Sequence, residues 1–215
     1  MAGSSSSGKR NNNLRKLVGA FEELAGTVNS ADPHIKAIQF AHACRLFATS
    51  NFNFGVAFMF ADVELLNKVD NVEKAAQAGE TIKRLVELDV EQGSVKVNSG
   101  PSRSLNRLKR VVDLARIFFE QVLEDDEGSD SIAEPIGKAY DQVFAPYHGP
   151  TVREAVAVAK YFLPNKSSLW NMLDEDDESI KEPLEKFVAA SKVVTQYIES
   201  IFLSNEETAE LLRLI

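Results

Sequence analysis

Residues 102–120 read SRSLNRLKRVVDLARIFFE, and the order of charged and apolar residues in that stretch decides the fold. Leu108, Val111, Val112, Ala115, Phe118, Phe119 and, just beyond, Val122 recur at steps of three and four, the period of a helix that lays one face into a core. Arg103, Arg107 and Arg110 recur at the same steps. They share one face of the first turns, and that face runs on into Leu114 and Phe118. A basic stripe of this kind reads most simply as a solvated surface. Electrostatics offers a second reading. Stacked guanidiniums repel one another unless an anion lies between them, and a face that turns apolar farther along suits a ligand with an anionic head and an apolar tail.

A second helix has the same peculiarity. Between Ser50 and Asn71, the residues Phe54, Phe58, Ala61, Leu65 and Lys68 follow one helical stripe, so a lysine stands where the pattern calls for a hydrophobe. Glu64 precedes it by one turn. Glu at i with Lys at i+4 is also the ordinary surface pair, worth about 0.2–0.5 kcal/mol. The pair is common; its place on the apolar stripe is not.

The rest of the chain sets the context. Helical periodicity marks Leu14–Leu24, a helix capped by Asp32 with Pro33 in its first position and running through Cys44, Thr81–Val90, Ile132–Phe144, Val152–Tyr161 behind a Thr151 cap, and Ile180–Leu203. Leu169–Leu173 forms a short apolar turn around Trp170, and the leucine-rich segment from Ala209 is expected to dock back on the body. Gln92–Pro101 reads as a loop, and so do the acidic runs at 124–130 and 174–178. No run alternates with the period of a strand. The expected fold is all-α, about eight helices in one domain over residues 14–215, behind a disordered polar tail at 1–13.

Composition excludes several classes. Thirty-two acidic residues against twenty-four Lys and Arg give a net charge of -8, which does not suit a nucleic-acid binder. The single cysteine, Cys44, allows no internal disulfide and fits a reducing, cytoplasmic compartment. No apolar run approaches the roughly 18–20 residues of a membrane span, so any membrane contact is peripheral. His34 and His42 lack partners at metal-ligand spacing and read as structural. Glycine-rich phosphate loops, CxxC pairs, HExxH and nucleophile elbows are all missing from the sequence, so no enzymatic template recommends itself. What remains is Lys68, Arg103 and Arg107, with Glu64 and His148 as hydrogen-bonding companions. Guanidinium forks and an ammonium suit a phosphomonoester; a carboxylate accepts from an amide or hydroxyl, and an imidazole donates to a carbonyl. Phosphate, amide, hydroxyl and carbonyl together describe a sphingolipid head.

Three segments, GVAFMFADVELLNKVD at 55–70, SRSLNRLKRVVD at 102–113 and YDQVFAPYHGPTVREAVAVA at 140–159, carry a specific likeness in their order and spacing. Over nearly the whole span from Leu14 to Leu203, the chain resembles the glycolipid transfer protein family, and within it the ceramide-1-phosphate branch and the plant carriers of the accelerated-cell-death type. The resemblance implies a two-layer helical sandwich with a hydrophobic lipid pocket between its layers. It implies non-enzymatic transfer of ceramide-1-phosphate or phytoceramide-1-phosphate between membranes, without cofactor or metal. In that family a lysine and two arginines four apart clasp the phosphate, which matches Lys68, Arg103 and Arg107. Arg103 stands where the sugar-binding branch has a tryptophan platform. The family histidine that meets the acyl carbonyl matches His148, and Arg110 is an auxiliary cation that could instead meet anionic membrane lipid.

Two positions depart from the family pattern. Glu64 replaces an aspartate that receives the lipid amide and hydroxyl, and the extra methylene lengthens its reach. Pro150 replaces an interfacial tryptophan, leaving Trp170, Phe162 and Tyr161 as candidates for membrane contact, although Trp170 reads first as a packed residue. These departures keep a second function open: a lipid-sensing adaptor of the same fold, with weak or no transfer, that engages a protein partner. A third reading is a helical scaffold without a ligand.

Overall fold

The computed structural model describes residues 13–49, 59–76, 80–125 and 128–214, with side chains in the second of these spans from residue 64 onward. The expectations for Phe54, Phe58, the side chain of Ala61, the polar tail before Asn13 and the acidic pair at 126–127 lie outside the described residues. Ten α-helices are present among the described residues: α1 (Asn13–Val28), α2 (Ala37–Thr49), α3 (Met59–Ala75), α4 (Ile82–Glu91), α5 (Pro101–Leu123), α6 (Ala133–Val143), α7 (Pro150–Ala159), α8 (Lys166–Met172), α9 (Lys181–Leu203) and α10 (Glu206–Leu211). The count exceeds the expected eight because the Trp170 turn and the docked leucine segment are themselves helical.

α5 is the axle. It packs against α3, α4, α6, α9 and α10, while α1 bridges α9 and α2, and α2 bears on α3, so α1, α2, α3, α5 and α9 form a closed circuit. The periodicity accounts for this: Leu105, Leu108, Val112, Phe118 and Phe119 of α5 are buried together. Phe119 meets Phe187 of α9 edge-on at 5.6 Å, and Phe187 meets Phe21 of α1 at 5.1 Å, which ties three helices through one aromatic chain.

The entry to α5 is fixed from a distance. Gly100 is its N-cap and offers no side-chain acceptor, and Pro101 takes the first position, where a missing N–H is harmless. The N–H of Ser102, which has no partner within the helix, is satisfied instead by Asp89 Oδ2 of α4 at 3.1 Å, and the other Asp89 oxygen accepts from the Ser94 hydroxyl. A carboxylate at the positive end of the helix macrodipole is also electrostatically favourable.

Two expected helix starts are corrected. α2 begins at Ala37 and not at Pro33, because Ile35 and Ala37 are engaged with α4: Ile82 N–H donates to Ile35 O at 2.8 Å and Ala37 N–H to Glu80 O at 3.0 Å. That backbone pairing, with the Lys36–Thr81 bridge, keeps 33–36 outside the helix. α7 begins at Pro150 behind Gly149, so Thr151 lies inside the helix and does not cap it.

Candidate functional site

Three elements converge. α3 presents Glu64 and Lys68 one turn apart, α5 presents Arg103 and Arg107 one turn apart, and the 3-10 turn after α6 delivers Tyr147 and His148. Asn71 Nδ2 donates to Ser104 Oγ at 3.3 Å and pins α3 to α5 beside the charged cluster. Arg107 Nη1 donates to Glu64 Oε1 at 3.0 Å, and Lys68 Nζ lies 4.0 Å from the same oxygen. Two cations from two helices therefore aim at one point, and an oxygen anion already stands there. The Lys68 side chain is only 18% exposed, in keeping with its place on an apolar stripe.

Arg103 also reaches back toward the start of its own helix. Its Nη1 faces the Lys96 carbonyl at 3.5 Å, in the loop that leads into α5. Arg110 departs further from expectation. It is 5% exposed, donates to the Leu212 carbonyl at 2.7 Å and lies with its guanidinium carbon 3.7 Å from the centroid of the Tyr147 ring. A residue so buried does not meet membrane lipid. The helical phase that placed it with Arg103 is right, but the segment after α9 covers that end of the face.

His148 is held from several sides. Its ring stacks on Phe144 with centroids 5.8 Å apart, its Nδ1 is 2.8 Å from the Tyr140 hydroxyl, and its carbonyl accepts from Arg153 Nε at 2.9 Å. Burial lowers the pKa of His148 below its ordinary value of 6.5, and Arg107, Arg153 and Arg110 lower it further by repulsion. Burial also raises the pKa of Tyr140, so its phenol stays protonated and is able to donate to Nδ1. When Tyr140 donates to Nδ1, the imidazole proton sits on Nε2 and that nitrogen becomes a hydrogen-bond donor. Tyr140, Asn71 and Asp89 escaped sequence reasoning because each acts on the site through a packed neighbour; Tyr140, eight residues before His148, had only a weak spacing signal.

The family model for Glycolipid transfer protein (GLTP) matches residues 35–175, a span that holds Glu64, Lys68, both arginines and the His148 corner. The chain belongs to the glycolipid transfer protein family. It is 37% identical over 193 residues to Accelerated cell death 11 of Arabidopsis thaliana, covering 90% of this chain and 93% of that protein. A crystal structure of a point mutant of that Arabidopsis protein complexed with ceramide-1-phosphate superposes with a TM-score of 0.87 at 35% identity, covering 92% of this chain and 98% of the other. Human ceramide-1-phosphate transfer protein in complex with ceramide-1-phosphate has the same fold, with a TM-score of 0.81 at 16% identity and coverage of 95% of this chain and 100% of the other. The all-helical architecture of the family is thus that of this chain.

Against that family frame, the aromatic candidates for membrane contact separate cleanly. Trp170 is packed, 4% exposed on α8, whereas Tyr161 and Phe162, directly after α7, are 88% and 73% exposed. Among the described residues no helix is long and apolar enough to cross a membrane.

Proposed function

We propose that this member of the family is a cytoplasmic, non-enzymatic carrier that moves a sphingolipid with a phosphate head group, of the ceramide-1-phosphate type, between membranes. The observation that carries the reading is the shared aim of Lys68 and Arg107 at Glu64 Oε1. It marks a seat for an oxygen anion beside Leu65 and Val69 of α3 and Leu105 and Leu108 of α5, which are buried in the apolar interior. In this reading the phosphate takes the seat on Lys68, Arg107 and Arg103. Glu64 turns from Arg107 to the lipid amide and hydroxyl, and His148 Nε2 donates to the acyl carbonyl. The ceramide-1-phosphate complexes of the Arabidopsis relative support the choice of lipid.

The two chains then run into the apolar interior beside α5. Each buried methylene contributes about 0.8 kcal/mol, so escape into water is slow and release into a second bilayer is the accessible exit. Tyr161 and Phe162, the most exposed large hydrophobic side chains among the described residues, enter the bilayer surface during that exchange. No bond is made or broken, and no cofactor or metal takes part.

Transfer of fluorescent ceramide-1-phosphate between vesicles, run beside a neutral glycosylceramide, tests the proposal. Selective transfer of the phosphate lipid, lost in Arg107→Ala, is the expected result. Tight binding without transfer would favour the adaptor reading, and no binding of either lipid would remove the head-group site.

A further inference from the structure

Beyond α9 the chain turns back. Asn205 caps α10, which packs on α4, α5 and α9 with Thr208 and Leu211 fully buried. The end of a helix leaves carbonyls without intrahelical partners, and at this end side chains of the site elements reach them. Leu211 O accepts from Asn106 Nδ2 at 2.7 Å, and Leu212 O accepts both from Arg110 Nη2 at 2.7 Å and from the Tyr147 hydroxyl at 3.0 Å. One carbonyl oxygen therefore joins the arginine helix to the residue next to His148. The contact of Arg110 with the Tyr147 ring closes a triangle of guanidinium, phenol and carbonyl.

The triangle is an unusual use of a charge. Burial of a guanidinium is unfavourable without strong partners, yet the hydrogen bond of Arg110 goes to a neutral carbonyl and its flat face to an aromatic ring. Such a planar, always-charged group can stack and donate at once, which a lysine cannot. One turn before it on α5 stands Arg107, and one residue after Tyr147 stands His148.

We propose that Arg110 is a positioning residue, which with the Leu212 carbonyl as common anchor holds the Tyr147–His148 corner at a set span from Arg107. The inference rests on the head-group reading above, because it assigns the segment after α9 the task of setting the distance between the phosphate grip and the carbonyl grip. In a sphingolipid head the phosphate and the acyl carbonyl are joined through only two carbons and the amide nitrogen, so their separation is confined to a short range. Two gripping groups carried on different elements need a brace to match it, and the arrangement supplies one from below the site.

The test uses two lipids that differ in the relevant group. Ceramide-1-phosphate has both phosphate and acyl carbonyl; sphingosine-1-phosphate has the phosphate alone. Affinity for each, presented in phosphatidylcholine vesicles, is measured for the full chain and for Tyr147→Phe, Arg110→Met and His148→Ala. Both brace variants are expected to weaken ceramide-1-phosphate binding by about fivefold or more, the effect of one net hydrogen bond. Sphingosine-1-phosphate affinity should stay within about twofold, and adding Tyr147→Phe to His148→Ala should weaken binding no further, as coupled residues require. Tyr147→Phe keeps the ring and Arg110 in place, and carries the test if Arg110→Met fails to fold. Equal losses for both lipids, or unchanged ceramide-1-phosphate binding in Tyr147→Phe, would overturn the inference. If His148→Ala loses affinity while Tyr147→Phe does not, the head-group reading stands and only the brace falls; a wild-type chain that binds neither lipid overturns both.

Discussion

Glu64 of α3 and Arg107 of α5 form an ion pair at 3.0 Å. The carboxylate thus occupies the place that the proposed phosphate takes, and binding exchanges one anion for another. A lipid with an amide gives the displaced Glu64 a new donor. A phosphate lipid without an amide leaves it as a bare like charge beside the phosphate. Glu64→Gln should therefore narrow the preference for ceramide-1-phosphate over phosphatidic acid, chiefly by strengthening phosphatidic acid binding up to about fivefold, the scale of an exposed ion pair. Competition between the two lipids in vesicles measures it, and the gain should shrink at high salt.

The tautomer of His148 yields a second expectation. Its lowered pKa means that the unfolded chain takes up this proton first as pH falls. The stability linked to neutral His148 is complete above the ordinary value of 6.5 and is lost as pH drops below it. A phosphate seated near Arg107 cancels part of the repulsion, so ligand binding should raise the His148 pKa in an NMR titration. Tyr140→Phe frees the other tautomer, in which Nε2 would face a carbonyl as an acceptor, and should weaken ceramide-1-phosphate binding about fivefold.

Asp89 caps the arginine helix from α4, so its removal should be felt in stability. Asp89→Ala is expected to cost about 1–2 kcal/mol, as the loss of a helix cap does. For a chain of this size that lowers Tm by roughly 2–8 °C, which calorimetry reads directly. The buried Ser102 N–H that Asp89 satisfies would then have no acceptor.

Tyr161 and Phe162 should serve bilayer contact and not lipid recognition. Replacing both by Ser should reduce adsorption to vesicles by on the order of tenfold or more, since burying one large apolar side chain is worth about 1.5–3 kcal/mol. Affinity for a short-chain ceramide-1-phosphate in free solution should not change. Trp170→Phe, in contrast, should alter the melting temperature and leave adsorption alone, because that indole is packed.

Periodicity sufficed for what is local. The three- and four-residue steps of 102–120 predicted both the helix and its buried face, and Lys68 betrayed itself by standing on an apolar stripe. What escaped depended on partners far along the chain. Nothing near Arg110 indicates that Leu212 lies over it, so it read as one more member of an exposed stripe. Nothing near Pro33 indicates that Ile35 and Ala37 pair with the start of α4, which delays the helix to Ala37 where helix-start chemistry favoured Pro33. The Asp89 cap is invisible for the same reason: its N–H partner belongs to another helix.

The burial of Cys44 has a practical side. The chain contains one cysteine, it is 1% exposed, and burial pushes its thiol pKa far above the ordinary range, which leaves scarcely any thiolate to react at neutral pH. The wild-type protein is therefore silent toward thiol reagents without prior removal of a residue. A single cysteine introduced in place of Phe162 would be the sole fast-reacting handle, and an environment-sensitive dye placed there would report arrival at and departure from a bilayer in real time.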